Sequence, residues 1–375
     1  MTFKELQLSE SVLRALIEKQ YSTPTPIQVK AIPIALKGSD LVGIAQTGTG
    51  KTAAFAIPII EHLKQEHYAK DSKREIKALI LTPTRELAIQ ISETFTDYGK
   101  YTGLKHTVIF GGVNQNPQVR TLNQGVDILI ATPGRLLDLI SQKVISLSHI
   151  THFVLDEADR MLDMGFIHDI RRLLPMLPTK RQTMLFSATM PNEIVDITRT
   201  ILYKPERVEV APVASVVDTI EQNLFFVEKP QKIELLISVL GEQRGKTTLI
   251  FSRTKHGADK IARTLINRKI QCEAIHGNKS QNARQTALEN IKNGKSHIIV
   301  ATDIAARGID IQNLGVVINY DMPDVAETYV HRIGRTGRAG NSGVAFTFCT
   351  KEEHIMVRNI QKLTHKRLNT VLIPA

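Results

Sequence analysis

The sequence of 375 residues contains no tryptophan, 5% aromatic residues and two cysteines. So few rings exclude a ligand site built on a run of stacking platforms. If a nucleic acid binds, its backbone is what this chain is equipped to hold. Cys272 and Cys349 lie far apart and form no Cys-x-x-Cys pair, which argues against a disulfide framework or a zinc site. Two reduced thiols in a cytoplasmic protein are expected instead. No uninterrupted apolar run approaches a membrane span, and the opening MTFKELQLSESVLRAL carries acids in place of an apolar signal core. No membrane partner is expected.

What is present is positive charge and pattern. Lys and Arg outnumber Asp and Glu by 48 to 37, a formal charge of +11, which suggests a polyanionic partner. The 42% hydrophobic and 23% charged residues are those of a globular protein, and the length suits two domains. Apolar strand-like runs alternate with helical patterns, the signature of α/β architecture with parallel sheets.

The two halves echo each other. ALILTPTR (78–85) and DILIATPG (127–134) in the first half match TLIFSRT (248–254) and HIIVATD (297–303) in the second. Leu81 and Ala131 are 50 positions apart, as are Phe251 and Ala301. Between them VIFGG (108–112) matches EAIHG (273–277), and three matches in register suggest two copies of one fold. Residues 204–219, with two prolines and no helical period, read as the joint. The expected organisation is a first domain over 1–207, a linker over 208–219 and a second domain over 220–375.

Two stretches carry chemistry. AQTGTGKT (45–52) follows the apolar run LVGI and precedes a helical pattern; it fits the P-loop pattern apart from Ala45 in place of the first glycine. Its residues Ala45, Gln46, Thr47, Gly48, Thr49, Gly50, Lys51 and Thr52 are the candidate nucleotide cradle. The glycines let backbone N–H groups turn toward phosphate at a helix N-terminus, and Lys51 brings a cation. FVLDEADR (153–160) ends an apolar run in three acids, which is unfavourable unless a cation is bound there. A nucleotide with Mg²⁺ supplies that charge. Thr52 and Asp156 are the candidate metal ligands, and Glu157 is placed to orient and deprotonate a water.

The acid stretch DEAD (156–159) and the P-loop together resemble the DEAD-box RNA helicases of superfamily 2, and further motifs follow in that family's order across the whole chain. They are YSTPTPIQ (21–28) with Phe3 upstream, PTREL (83–87), Gly111-Gly112, TPGR (132–135), SAT (187–189), QNAR (281–284), ATDIAARGID (301–310) and HRIGRTGR (331–338). Gln20 and Asn278 depart from the family's usual Gly and Asp without touching an expected catalytic role. The wording of the last two motifs looks most like the bacterial RhlE-type branch.

The resemblance implies two tandem RecA-like domains, each a mainly parallel sheet flanked by helices, joined by a flexible linker. It implies ATP and Mg²⁺ as cofactors, with Gln28 contacting the adenine edge, Phe3 stacking on the ring and Asp310 meeting the ribose. Arg335 and Arg338, three apart and so expected on one helix face, would act as arginine fingers beside Lys51, Asp156 and Glu157. Arg85, Gly112, Thr132, Gly134 and Arg135, with Arg253, Arg284, Thr302 and Asp303, would hold single-stranded or locally duplex RNA by its backbone, without reading sequence. Asp159, Ser187, Thr189 and His331 would couple hydrolysis to RNA. The expected activity is RNA-stimulated ATP hydrolysis, coupled to domain closure and local, non-processive unwinding or remodelling of RNA–protein complexes. An ATP-gated RNA clamp with little unwinding shares every motif. A DNA helicase and a P-loop ATPase unrelated to nucleic acid are the more distant alternatives.

Overall fold

A computed structural model describes residues 2–46, 48–64, 74–210, 220–306, 311, 314–337 and 342–372. The chain divides into two compact units, Met1–Ala211 and Pro212–Ala375.

The first unit holds a seven-stranded sheet of β1 (Leu41–Ile44), β2 (Ala78–Leu81), β3 (His106–Ile109), β4 (Ile128–Ala131), β5 (His152–Asp156), β6 (Gln182–Ser187) and β7 (Glu206–Glu209). Its spatial order is β3-β4-β2-β5-β6-β1-β7, and every pairing is parallel. The second unit holds β8 (Ile220–Phe226), β9 (Thr247–Phe251), β10 (Glu273–Ile275), β11 (Ile298–Ala301), β12 (Leu314–Asn319), β13 (Gly343–Cys349) and β14 (Asn369–Thr370). The order there is β10-β11-β9-β12-β13-β8-β14, again all parallel. Each strand of the first sheet thus has its counterpart seven places on in the second.

Register makes the duplication concrete. Leu81 pairs with Ala131 in the first sheet and Phe251 with Ala301 in the second, so the equal sequence separations are equal spatial pairings. The third match holds as well, with Ile109 beside Ala131 and Ile275 beside Ala301. The helix after each of these central strands also starts alike. Thr84 caps the helix Arg85–Tyr98 by accepting from Leu87 N at 3.3 Å, and Thr254 caps Lys255–Asn267 by accepting from Gly257 N at 2.9 Å.

Both sheet faces are buried, as parallel sheets require. Alternate residues of β2 show it: Ala78 and Ile80 join one hydrophobic cluster, Leu79 and Leu81 the other. In β9 Ile250 faces one cluster, while Leu249 and Phe251 face the other. Residues 211–219 of the expected linker lie outside the described residues. Val208 and Glu209 instead belong to β7, whose backbone pairs along β1, so a boundary at 207 falls inside a strand. No helix among the described residues is long and apolar enough to cross a membrane.

Candidate functional site

Parallel strands put all their carboxyl ends on one edge, where α/β sheets present ligand sites. In the first unit the P-loop follows β1, Asp156 ends β5 and Ser187 ends β6. Arg85, Gly112 and Thr132 follow β2, β3 and β4 on the same edge.

The phosphate loop is built by two left-handed glycines, Gly48 at φ 81° and Gly50 at φ 89°, a region closed to most side chains. Gly50 also caps the helix Lys51–Leu63, and a Cβ there would run into the Gln28 amide. Lys51 is buried, its Nζ donating to the carbonyl of Ala45 at 2.9 Å, and Thr49 Oγ1 donates to the carbonyl of Gln46 at 2.7 Å. Thr52 is half-buried one position on, and Thr47 lies outside the described residues. Gln28 accepts from Thr25 N at 2.9 Å and donates from Nε2 to the carbonyl of Gly50 at 3.0 Å, which ties the start of the helix Pro26–Leu36 to the loop. Phe3 is only 5% exposed and packs in the core with Leu6 and Val12.

The three acids do not form a solvated loop. Asp156, Glu157 and Asp159 are 2%, 4% and 8% exposed. Glu157 takes the left-handed conformation at φ 55°, turning the chain from β5 into the helix Ala158–Asp163. Burial pushes the Asp156 carboxyl up to about 7; Lys51 pulls it down and the Glu157 carboxylate reinforces the rise. Arg160, which sequence reasoning passed over, pairs with Glu157 Oε2 at 2.6 Å. The carboxylate of Asp156 and the hydroxyl of Thr52 are hard oxygen donors, and a divalent cation is what would restore the buried carboxyl to its charged form.

Asp159 joins the acid turn to the turn after β6. Its Oδ2 accepts from Ala188 N at 3.2 Å, Thr189 N at 2.9 Å and Thr189 Oγ1 at 3.0 Å. Ser187 Oγ accepts from Asp159 N at 3.2 Å and donates to the carbonyl of Thr189 at 2.7 Å. The Ser187 carbonyl in turn accepts from Ala45 N at 3.0 Å, so P-loop, acid turn and Ser-Ala-Thr turn form one hydrogen-bonded chain.

Among the candidate RNA residues, Arg85 lies against Gly112, whose φ of 72° and lack of a Cβ permit that approach. Arg135 donates to Gln118 Oε1 and to the carbonyl of Val113, both at 3.1 Å. Gln118 also accepts from Phe110 N at 3.3 Å and donates to its carbonyl at 3.2 Å. It therefore fixes both the glycine turn and Arg135, and nothing in its sequence context marks it. Thr132 is the buried N-cap of the helix Pro133–Ser141, while Gly134 is exposed.

In the second unit Arg253, Thr302 and Asp303 follow β9 and β11, again at carboxyl ends. Arg253 N donates to Asp321 Oδ2 at 2.9 Å, and its guanidinium reaches the carbonyl of Met322 at 3.0 Å and Glu353 at 3.1 Å. Asp303 forms a two-pronged pair with Arg332, at 2.6 and 2.7 Å. Arg332 is 2% exposed, donates also to the carbonyl of Asp321 at 2.6 Å and stacks over Phe251 at 4.9 Å. Nothing in the motif HRIGRTGR separates Arg332 from its neighbouring arginines. Arg284 is half-buried in the first turn of the helix Gln281–Lys292.

One expectation is corrected. The helix Ala326–Ile333 ends before Arg335, which sits buried in the following turn and so on no helix face. Gly334 is the C-cap, its N–H donating to the carbonyl of Val330 at 2.9 Å. His331 is exposed on the helix's last turn. Arg338 and Asp310 lie outside the described residues.

Two family models match the chain, the DEAD/DEAH box helicase over residues 25–197 and the helicase conserved C-terminal domain over 231–340. The chain is similar to the DEAD-box ATP-dependent RNA helicase CshA of Geobacillus kaustophilus, 42% identical over 373 residues, covering 100% of this chain and 79% of that protein. Among solved structures it resembles S. cerevisiae Dbp5 bound to RNA and ADP BeF3, with 31% identity, a TM-score of 0.87 and coverage of 99% of this chain and 96% of that one. Mss116p bound to ssRNA and AMP-PNP is similar at 28% identity and a TM-score of 0.87, covering 100% of this chain and 79% of that one.

Proposed function

We propose that this chain, which belongs to the DEAD-box ATP-dependent RNA helicases, divides ATP binding, hydrolysis and RNA holding among the residues described above. It is an RNA-dependent ATPase that opens RNA structure.

ATP meets the N–H groups around Gly48 and Gly50 and the Lys51 ammonium, with Ala45, Gln46, Thr47, Thr49 and Thr52 completing the cradle. Gln28 selects the base. Its bonds to Thr25 and Gly50 hold the amide plane and use one donor and one lone pair, leaving one of each for the adenine edge. Phe3 flanks the ring and Asp310 the ribose. Thr52 and Asp156 would hold Mg²⁺, which would offset phosphate charge. Glu157 takes a proton from water as the water oxygen attacks the γ-phosphorus and the bond to the leaving ADP oxygen breaks. Arg335 and Arg338 stabilise the charge that develops.

Arg85, Gly112, Thr132, Gly134 and Arg135, with Arg253, Arg284, Thr302 and Asp303, meet phosphates and sugars. ATP and RNA each favour closure of the two domains and therefore each other's binding. Asp159, Ser187, Thr189 and His331 transmit that state to the hydrolytic water. The observation that carries this reading is the hydrogen-bonded chain from Ala45 through Ser187 and Thr189 to Asp159, because it links the nucleotide loop to the acid turn.

The finer assignments belong to the same proposal. The RhlE-type branch rests on the two motifs of the second half alone; CshA, a relative matched over the whole chain, represents a different branch. Cytoplasmic location is supported by two unpaired cysteines.

The test is ATP turnover with Mg²⁺, with and without single-stranded RNA, beside Glu157→Gln. Strong stimulation by RNA, lost in the variant, is expected. Equal turnover in the absence and presence of RNA would sink the coupling.

A further inference from the structure

The sheet edge opposite the motifs carries charge for which hydrolysis and strand holding have no use. In the second unit the connections into β9, β10 and β11 meet there around a cavity of about 360 Å³. Arg244, Lys246, Lys295 and His297 line it, beside Ser296 and the Gly245 turn, and among the described residues no aspartate or glutamate does. Lys246 donates to Gln243 Oε1 at 2.9 Å. Among the described residues, Arg244, Lys295 and His297 have no side-chain hydrogen-bond or ion-pair partner. Arg244, Lys246 and Lys295 are exposed and of one sign, a patch that suits an anion.

The first unit shows the same corner with its charge satisfied from within. Ala78 pairs with Ile128 there, as Thr248 pairs with Ile298 in the second unit, so Arg74 corresponds to Arg244 and Asp127 to His297. Arg74 forms an ion pair with Asp127, which is wholly buried and accepts from Lys105 N at 2.7 Å. The second copy keeps the arginine, has an imidazole where the carboxylate was, and has Lys246 where the first has Ile76. The cation remains and its internal anion is gone.

We propose that this cavity binds phosphate groups of the RNA backbone, giving the second unit an RNA contact on the edge opposite its helicase motifs. The inference rests on the RNA-helicase reading above and extends its substrate to strands or flanks longer than the motif groove holds. Strand β9 is five residues long, about 17 Å at the usual rise, so the two edges lie within reach of one RNA molecule. A phosphate contact through Arg and Lys needs no aromatic platform, consistent with a chain that has no tryptophan. Arg supplies the planar fork that pairs two phosphate oxygens at once, and Lys295 and Lys246 act as point charges beside it.

The test uses the full chain and two RNAs, a single strand of about ten nucleotides, within the usual site size of one groove, and one roughly three times longer. The variants are Arg244→Glu with Lys295→Glu, and separately His297→Asp, which restores the acid that the first unit has. Turnover stimulated by the short RNA should be unchanged in all of them, which also shows that they fold. Affinity for the long RNA should fall about tenfold at low salt, and the slope of log K against log salt should shrink by about 1.4, two phosphates' worth for a single strand. Unchanged long-RNA affinity and slope would overturn the inference. So would loss of tripolyphosphate binding in the variants while long-RNA binding persists, since the cavity would then serve a small phosphate compound. If the unaltered chain shows no stimulation by either RNA, the helicase reading itself fails, an outcome separate from both.

Discussion

Thr189 donates twice to one oxygen of Asp159, from its amide at 2.9 Å and from its hydroxyl at 3.0 Å. Nothing about hydrolysis requires the hydroxyl bond, because the amide already holds the carboxylate. The second bond ties a side chain from the turn after β6 to the acid turn after β5. Removing it should separate two activities and leave each partly intact. Thr189→Ala combined with Ser187→Ala should keep ATP turnover within a few-fold while strands opened per ATP fall about tenfold or more, the equivalent of one charge-assisted hydrogen bond. Strand displacement measured beside phosphate release decides it; equal losses in both would remove these residues from coupling.

Glu157→Gln should lower kcat by roughly 10²–10⁴, the usual contribution of a general base, with ATP affinity little changed. The substitution keeps the shape of the side chain and removes the proton acceptor and the charged half of the pair with Arg160. Single-turnover hydrolysis and nucleotide binding on the same preparation check it. A variant that hydrolyses normally would move the base elsewhere.

Arg332→Met should destabilise the second unit by about 3 kcal/mol, the scale for removing one partner of a buried ion pair. Asp303 would lose both guanidinium bonds, and the carbonyl of Asp321 a third. Arg332→Lys should recover only part of this, since an ammonium cannot reproduce the fork. Denaturant unfolding followed by circular dichroism reads the difference; equal stability of all three proteins would show the pair to be incidental.

The first unit should weaken in mild acid because of a histidine far from the P-loop. His152 opens β5 at the edge opposite Asp156, and its Nε2 lies 3.0 Å from Nδ1 of His62. Burial, with His62 adding to it, pushes the His152 imidazole down to about 4. The folded value lies below the unfolded one of about 6.5, so between them the unfolded chain binds the extra proton. The contribution is therefore fully present above pH 6.5 and is lost as pH falls toward 4, by up to about 3 kcal/mol. Thermal melts from pH 7 to 4.5 should slope less steeply in His152→Gln than in the unaltered chain. Parallel slopes would mean that carboxylates alone set the acid limit.

The sequence disclosed most of the fold because strands leave local traces. Equal separations, 81 to 131 and 251 to 301, proved to be equal register pairs because the connections between them were duplicated with the strands. The P-loop and the acid turn were legible for a similar reason, since glycine spacing and clustered acids have few physical uses. What stayed hidden depends on residues distant in sequence. Arg332 stands among several arginines in HRIGRTGR, and only packing against Asp303 and Phe251 distinguishes it. Arg335 was assigned to a helix face by spacing, but spacing does not say where the helix stops. Gln118, Arg160 and the His62–His152 contact take their roles from neighbours that the fold supplies.

The strand order has a consequence for synthesis. β1 is made early, yet its two neighbours are β6 and β7, so residues 41–44 have no partner until residues 182–209 have left the ribosome. The same delay repeats in the second unit, where β8 at 220–226 waits for β13 at 343–349 and β14 at 369–370. With no hairpin among the described residues of either sheet, early strands cannot be sheltered by the strand that follows. The nascent chain must therefore carry β1, an apolar strand with two bare edges, through most of the translation of its own unit, and this interval is when a chaperone would matter most.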